Sequence, residues 1–166
     1  MQIVSLEAKW CVASYRFPGK GYSQMSQGNL LIVDDESSLC FSLRMIFTAL
    51  GYDVRVADNG HLALKEIETY APDILVSDLY MPKMSGFELL SRVASEYPAI
   101  RTIAMCAIFV DGEIPEGVMA HAFHRKGAGV ESLVSLIQSM SADLNSSSSG
   151  SLSKQPKPFI VHPDHT

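Results

Sequence analysis

Short apolar blocks alternate with segments of helical periodicity from Asn29 onward. The blocks predict five strands, at residues 30–33, 54–57, 73–78, 100–107 and 121–126. Strands that alternate with amphipathic helices are typical of βα units, in which each helix carries the chain back to the same edge of a parallel sheet. The pattern therefore predicts an α/β fold built on a parallel sheet.

The predicted helices begin and end at recognisable residues. Ser37 stands where a helix cap is expected, Asn59-Gly60 starts the second helix, and Ser85 with Glu88 has the spacing of a capping box. Glycine or proline follows each of the first three helices. An apolar stripe at positions 130, 133, 134, 137 and 140 marks the last helix, whereas Gly and Pro residues between 108 and 120 permit only a short or irregular one. Five βα units result.

Both ends of the chain differ from this body. Residues 1–28 are aperiodic, and residues 144–166 combine a serine run with prolines. Such segments bury too little apolar surface to offset the entropy of ordering. We therefore expect both ends to be mostly disordered and the folded domain to span residues 29–143. Met25 could also be the first residue of the natural protein, an alternative that the composition leaves open.

The composition narrows the function classes. Hydrophobic residues make up 47% of the 166 positions, charged residues 19%, and the net charge is -5. Direct nucleic-acid binding is disfavoured because it needs clustered Lys and Arg. No segment reaches the roughly 18 apolar residues of a membrane span. The three cysteines have neither metal-type nor Cys-x-x-Cys spacing, so we expect a cytoplasmic protein without disulfides.

Three carboxylates follow two of the predicted strands. Asp34 and Asp35 come after the first strand, and Asp78 ends the third. If these strands are neighbours, their carboxyl ends meet at one edge of the sheet, and crowded carboxylates need a cation. Hard oxygen ligands in small number suit Mg²⁺. Ordinary strand-end or cap roles would explain Asp34 or Asp35 singly, but together with Asp78 they favour a magnesium site.

The same edge has the parts for phosphoryl chemistry. An aspartate beside Mg²⁺ can attack phosphorus because the ion screens its charge. Lys126 closes the fifth strand and could reach the phosphoryl group or Asp78 as an ammonium donor. The alternative for Lys126 is a solvated lysine at a strand end, and position alone does not decide between them.

Three features are specific in combination: the segment LLIVDDE, the segment DLYMPKMSGFELL, and Phe123 placed three residues before Lys126. Through them the chain from residue 29 to about residue 140 resembles the receiver domain of two-component response regulators. The resemblance implies a flavodoxin-like (βα)5 fold, a doubly wound parallel sheet with the strand order 2-1-3-4-5.

The resemblance also implies roles for the acidic residues. Asp78 matches the aspartate that accepts phosphate from a sensor histidine kinase or a phosphotransfer protein. Asp34 and Asp35 match residues that hold Mg²⁺, and the ligand set is completed by Asp78 and the backbone carbonyl of Tyr80. Lys126 is then expected to stabilise the phosphoryl group.

The chain departs from the family pattern at three places that are expected to affect the conformational change on phosphorylation, which we call the switch. Cys106 stands where receivers usually have Thr or Ser, and a thiol is the weaker hydrogen-bond donor. Gly127 replaces the usual Pro after Lys126, so a trans peptide is expected there. The stretch 108–120 is shorter than usual. Phe123 is either the family's aromatic switch residue or a core residue of a short strand, and the two interpretations are close.

We predict a receiver that is phosphorylated on Asp78 and signals through phosphorylation-dependent binding of a downstream protein or a homodimer. Catalysis would be confined to its own phosphotransfer and dephosphorylation. A first alternative is a degenerate receiver that works as a phosphorylation-independent adaptor, suggested by Cys106 and Gly127. A second is a Mg²⁺-dependent phosphohydrolase with an aspartyl-phosphate intermediate, which usually has an acid where this chain has Tyr80.

Overall fold

The computed structural model describes residues 26–108 and 116–147, with side chains described as far as residue 144. In chain order the elements are β1 (Asn29–Val33), α1 (Ser37–Ala49), β2 (Asp53–Ala57), α2 (Gly60–Thr69), β3 (Ile74–Asp78), α3 (Gly86–Glu96), β4 (Arg101–Cys106), β5 (Ala122–Arg125) and α4 (Val130–Ser147). Within these residues, no helix combines the length and hydrophobicity needed to cross a lipid bilayer.

The five strands form one parallel sheet in the order β2-β1-β3-β4-β5, which confirms the predicted flavodoxin-like topology. β1 lies between β2 and β3, and Val33 at its end pairs with Ala57 on one side and Ser77 on the other. Asp78 pairs with Met105 of β4. The carboxyl ends of β1 and β3 are therefore neighbours, as the acidic site requires.

Apolar residues cover both faces of the sheet. Alternate strand residues such as Leu31 and Leu75 pack with α2 and α3, whereas Leu30 and Ile74 pack with α1 and α4. All five residues of β3 are buried. Strands buried on two faces appear as continuous apolar runs instead of an alternating pattern. A polar residue inside such a run consequently needs a specific partner.

The helix starts agree with the sequence in two of three cases. Asn59 and Ser85 each accept a hydrogen bond from the backbone N–H three residues on, at two of the predicted helix starts. The prediction for Ser37 is wrong, because this residue is the first of α1 and Glu36 is the cap, with no side-chain cap bond. Instead, Asp34 Oδ1 accepts from the Glu36 N–H at 2.9 Å. The carboxylate of the acidic site thus also organises the entry to α1.

The ordered domain extends beyond its predicted ends. α4 runs to Ser147, so the boundary expected at residue 143 falls inside the helix, where Leu144 packs on the apolar cluster beneath α1 and α4. At the other end, Gln27 N–H donates to Gly51 O and Gly28 O accepts from Asp53 N–H, both at 3.0 Å. The rest of both predicted tails, residues 1–25 and 148–166, lies outside the described residues.

The short or irregular helix expected between residues 108 and 120 falls largely on residues 109–115, which also lie outside the described part. The described residues 116–120 form a turn followed by irregular chain, with no helix among them.

The loop between β3 and α3 depends on one glycine. A Cβ added to Gly86 would lie 1.9 Å from the carbonyl oxygen of Asp78 and 2.7 Å from the Cα of Leu79. These are backbone atoms, so no side chain can move aside to relieve the contact. Met81 and Met84 pack beneath the loop in the apolar cluster on the α2 and α3 face. Only glycine allows α3 to begin this close to the end of β3.

We expect Gly86→Ala to lower the free energy of unfolding by about 3 kcal/mol, since overpacking against backbone costs at the upper end of the usual range. Gly60→Ala is a matched control, because Gly60 is also the first residue of a helix and its added Cβ meets only the flexible Met84 side chain. Urea unfolding of both variants measures the difference. Equal losses in the two variants would contradict the proposed backbone clash.

His124 is a buried histidine on β5, 8% exposed. Its Nδ1 lies 3.2 Å from Ser132 Oγ, and the Ser132 hydroxyl donates to Gly129 O at 2.9 Å. Because that hydroxyl proton is used, Nδ1–H of a neutral imidazole is placed to donate to Ser132. Burial lowers the pKa of His124 below its usual value. Protonation is therefore disfavoured while β5 and α4 stay packed.

A lowered histidine pKa contributes stability above the pKa of the unfolded chain, and this contribution is lost as the pH falls through the folded pKa. We expect the melting temperature to decrease between pH 7.5 and pH 5.5, and His124→Gln to flatten this dependence. His61→Gln, at an exposed position of α2, should leave the dependence unchanged. A His124→Gln profile parallel to the wild-type profile would show that another group is responsible.

Candidate functional site

Three carboxylates meet at the edge formed by the carboxyl ends of β1 and β3. One oxygen from each of Asp34, Asp35 and Asp78 lies within 4.8 Å of the others. Asp34 is fully buried, Asp78 is 7% exposed, and Asp35 faces solvent. The parallel pairing of β1 with β3 creates this convergence, because it makes Asp34, the residue after β1, a neighbour of Asp78, the last residue of β3.

Lys126 brings a cation to this cluster from the end of β5. Its Nζ lies 2.6 Å from Asp34 Oδ2 and 2.7 Å from Asp78 Oδ2. The contact with Asp78 has hydrogen-bond geometry, whereas the contact with Asp34 is a short ion pair that leaves the buried Oδ2 without a well-aligned donor among the described residues. The lysine is fixed at its backbone, where Lys126 N–H donates to Cys106 O at 2.8 Å.

Burial and charge act against each other at these groups. Burial raises the pKa of Asp34 above its usual value, although the short ion pair with Lys126 works in the opposite direction. For Lys126, burial disfavours the ammonium form, but its close contacts with the Asp34 and Asp78 carboxylates outweigh burial and raise the pKa. Three ionised carboxylates and one ammonium leave the site with an excess of negative charge.

A hard divalent cation suits this arrangement. The three carboxylates offer oxygen ligands, which Mg²⁺ prefers, and Asp34 Oδ2 is a buried oxygen whose hydrogen-bonding capacity is not filled. The ammonium of Lys126 already brings positive charge into contact with Asp34 and Asp78. The backbone N–H of Tyr80 lies 3.4 Å from Asp78 Oδ1, but the role of the Tyr80 carbonyl as a ligand stays a prediction.

Cys106 lies at the end of β4, at the position where the sequence suggested a weakened switch. It is 1% exposed and belongs to the apolar cluster on the α2 and α3 face. Its Sγ accepts a hydrogen bond from the Ile108 N–H at 3.3 Å. The thiol is therefore already hydrogen-bonded to the loop that follows β4. The backbone carbonyl of Cys106 accepts from Lys126 N–H and so anchors the lysine. Its role in switching stays a prediction.

Phe123 and Gly127 lie on either side of this lysine. Phe123 is half-buried on β5 and packs against the apolar cluster on the α2 and α3 face, which agrees with either of its two predicted roles. The described residues contain no cis peptide bond, so the trans peptide expected before Gly127 is confirmed. Gly127 has φ 136°, a conformation that glycine adopts readily and other residues rarely adopt.

Sequence reasoning missed two buried neighbours of the acidic cluster. Ser77 Oγ donates to the carbonyl oxygen of Asp78 at 2.9 Å, and the signal was available as one polar residue in the run ILVSD. Cys40 Sγ donates to Asp34 O at 3.4 Å. Burial, with the negative charges of Asp34 and Asp58, raises the pKa of the Cys40 thiol to about 11. Cys40 is thus a neutral donor that helps to hold the Asp34 backbone.

Comparison with known proteins gives consistent results. Residues 30–125 match the family described as Response regulator receiver domain. The DNA-binding transcriptional regulator NtrC of Proteus hauseri is 36% identical over 83 residues, which are 50% of this chain and 18% of that protein. The chain thus spans about a fifth of the length of such curated relatives.

Two solved structures are similar to this chain over nearly their own whole length. A putative response regulator from Chloroflexus aurantiacus is 27% identical with a TM-score of 0.62, covering 69% of this chain and 98% of that one. The chemotaxis protein CheY4 of Vibrio cholerae is 26% identical with a TM-score of 0.60, covering 70% of this chain and 99% of that one.

Removing the Lys126 ammonium should destabilise the fold, because the buried carboxylates then lose the cation that neutralises them. We expect Lys126→Met to lower the free energy of unfolding at pH 7 by about 3 kcal/mol, as when one partner of a buried ion pair is lost. Mg²⁺ should restore part of the loss by replacing the cation. Acidification should restore part as well, because a carboxylate whose pKa is raised stabilises the fold in its protonated form.

Urea unfolding at pH 7 and pH 5, with and without millimolar Mg²⁺, measures these effects. Lys65→Met, which removes an exposed lysine of α2, is the matched control and should behave as wild type. A Lys126→Met variant as stable as the control, or one insensitive to both Mg²⁺ and pH, would mean that Lys126 does not neutralise the cluster.

Proposed function

The chain belongs to the response regulator receiver domain family, and we propose that it accepts a phosphoryl group on Asp78. The observation that carries this proposal is the contact of Asp78 Oδ2 with Lys126 Nζ at 2.7 Å, inside a cluster of three carboxylates. A structural ion pair would need one carboxylate and one cation. The surplus of acidic oxygens favours a site built for a further cation and a phosphoryl group.

In the proposed reaction, a carboxylate oxygen of Asp78 attacks phosphorus in a phosphohistidine or a small phosphodonor. A bond from Asp78 oxygen to phosphorus forms, and the bond from phosphorus to the donor's nitrogen or oxygen breaks, with the electron pair leaving on the donor. Such transfers depend mostly on alignment and on electrostatic stabilisation of the phosphoryl oxygens. The fixed position of Asp78 at a strand end supplies the alignment.

Asp34, Asp35, Asp78 and the Tyr80 carbonyl are the residues that we propose hold Mg²⁺. When bound, the ion screens the carboxylates and neutralises charge on the phosphoryl oxygens. Lys126 complements it on the side of Asp78, where its ammonium can exchange a carboxylate contact for a phosphoryl oxygen. Asp34 must stay ionised for this role, although burial raises its pKa, which makes the cations of the site necessary.

The proposed output is a change in protein binding. A phosphoryl group adds about -1.5 to -2 charges at the edge where β3, β4 and β5 end, and this charge biases the packing of the adjacent loops. Two residues lie next to these loops: Cys106, whose thiol accepts a hydrogen bond from Ile108 N–H, and Phe123 on β5. A downstream protein or a second copy of the chain that prefers one packing would detect the change.

The physiological partner for phosphorylation is proposed to be a sensor histidine kinase or a phosphotransfer protein in the cytoplasm, where free cysteines such as the buried Cys40 and Cys106 stay reduced. Receiver domains are signalling modules, and we propose no activity on an external small molecule. Cys106 and Gly127 affect how the signal is reported more than how phosphate is accepted.

We expect intact mass to increase by one phosphoryl group when the protein is incubated with acetyl phosphate and Mg²⁺. The gain should be lost without Mg²⁺ and in Asp78→Asn, because the nucleophile or the screening cation is then missing. Asp53→Asn, at an exposed position of β2, should be phosphorylated as wild type.

Absence of any gain in folded wild-type protein, alongside a receiver that is phosphorylated under the same conditions, would count against acceptance from small donors. The same result with a purified histidine kinase would reject the proposal and favour a phosphorylation-independent adaptor. A gain that persists in Asp78→Asn would place the phosphoryl group on another residue.

A further inference from the structure

The carbonyl oxygen of Asp78 has two close neighbours. The hydroxyl of Ser77, whose side chain is fully buried, donates to it at 2.9 Å. Gly86 also approaches so closely that an added Cβ would lie 1.9 Å from the same oxygen. Gly86 N–H also donates to Leu79 O, and Leu79 N–H donates to Met105 O, both at 3.0 Å. The peptide that follows Asp78 is therefore clamped in one orientation.

The position of Ser77 is unusual for a hydroxyl. The residues that precede it in β3 are apolar, and its partners across the sheet are Val33 of β1 and Ala104 of β4. Burying a hydroxyl among apolar neighbours costs free energy unless it forms a hydrogen bond. An apolar side chain at this position would simply continue the core. The hydroxyl does something else, because its hydrogen bond goes to the main chain of the residue that we propose accepts phosphate.

Resting on the proposed function, we propose that Ser77 is a positioning residue for phosphoryl acceptance. Its hydroxyl fixes the orientation of the peptide after Asp78, and this orientation sets both the direction of the Asp78 side chain and the path of the chain to Tyr80. Tyr80 N–H in turn lies 3.4 Å from Asp78 Oδ1. One hydrogen bond thus acts on the nucleophile and on the proposed carbonyl ligand two residues later.

The position of the Asp78 carboxylate must be precise because it contacts several groups at once. Asp78 Oδ2 contacts Lys126 Nζ at 2.7 Å, and an Asp78 oxygen stays within 4.8 Å of Asp34 and Asp35 oxygens. Without the Ser77 hydroxyl, this peptide keeps its N–H bond to Met105 O and the close approach of Gly86, but its carbonyl oxygen loses the hydrogen bond from Ser77. The carboxylate would then spend more time away from the aligned position, and the rate of transfer would fall although every group that touches phosphate remains.

The test compares Ser77→Ala with Ser141→Ala. Ser141 is also a buried serine whose hydroxyl donates to a carbonyl, Ile137 O at 2.9 Å, but it lies on α4 and outside the acidic cluster. Ser77→Ala loses one buried hydrogen bond and Ser141→Ala loses two, because Ser141 Oγ also lies 3.1 Å from Tyr52 OH, so both variants should melt at lower temperature. At a temperature where both are folded and Mg²⁺ is saturating, we expect acetyl phosphate to label Ser77→Ala about fivefold more slowly than wild type, in keeping with one lost hydrogen bond. Ser141→Ala should match wild type.

Ser77→Thr keeps the hydroxyl and should recover most of the rate. Labelling of Ser77→Ala at the wild-type rate, or equal slowing in Ser77→Ala and Ser141→Ala, would reduce Ser77 to a purely structural residue. A folded Ser77→Thr variant as slow as Ser77→Ala would assign the effect to packing and overturn the inference. Wild type and Asp78→Asn run in parallel, so a failure of the proposed function appears separately as no labelling of wild type.

Discussion

Lys126 connects the ends of three strands, and the site depends on this contact. Asp34 follows β1 and Asp78 ends β3, whereas the lysine comes from β5 and must reach past β4 to contact both carboxylates. Two buried carboxylates this close would repel each other strongly without a cation between them. The ion pairs therefore couple the order of the strands to the chemistry of the edge, and they keep Asp34 and Asp78 together before any phosphoryl group arrives.

The segment from Asp78 to Gly86 combines chemistry with tight backbone packing. Gly86 lets α3 begin against the Asp78 carbonyl, and Met84 fills the space beside Gly60 at the start of α2. An aspartate on a strand end held in this way has little freedom to turn. The motif DLYMPKMSG therefore specifies the shape of the loop as much as it specifies reactive groups.

The departures of this chain from its family affect different steps. The acidic residues and Lys126 stand together in an arrangement suited to accepting a phosphoryl group. Cys106 and Gly127 lie beyond it, where the change would be reported. The Cys106 sulfur accepts a hydrogen bond from Ile108 N–H in the loop after β4. This sulfur therefore has a hydrogen-bond partner in the absence of a phosphoryl group.

Several features could be predicted because they depend on local pattern. The five strands follow from short apolar blocks, and the caps Asn59 and Ser85 follow from residue type and spacing. The cap assigned to Ser37 was wrong because a tertiary feature, the buried Asp34 carboxylate, takes over the helix entry. The domain boundary was expected at residue 143, inside α4, because Leu144 gains its partners only when α4 packs on the sheet.

The sequence by itself determined which residues end the strands, and hence that carboxylates and a lysine could share one edge. Only the tertiary structure decided that Lys126 contacts Asp34 and Asp78 together and that the Ser77 hydroxyl holds the Asp78 carbonyl. The physical reason is distance along the chain. Lys126 and Asp78 are 48 residues apart, and no local pattern records such a contact until the order and register of the strands are set.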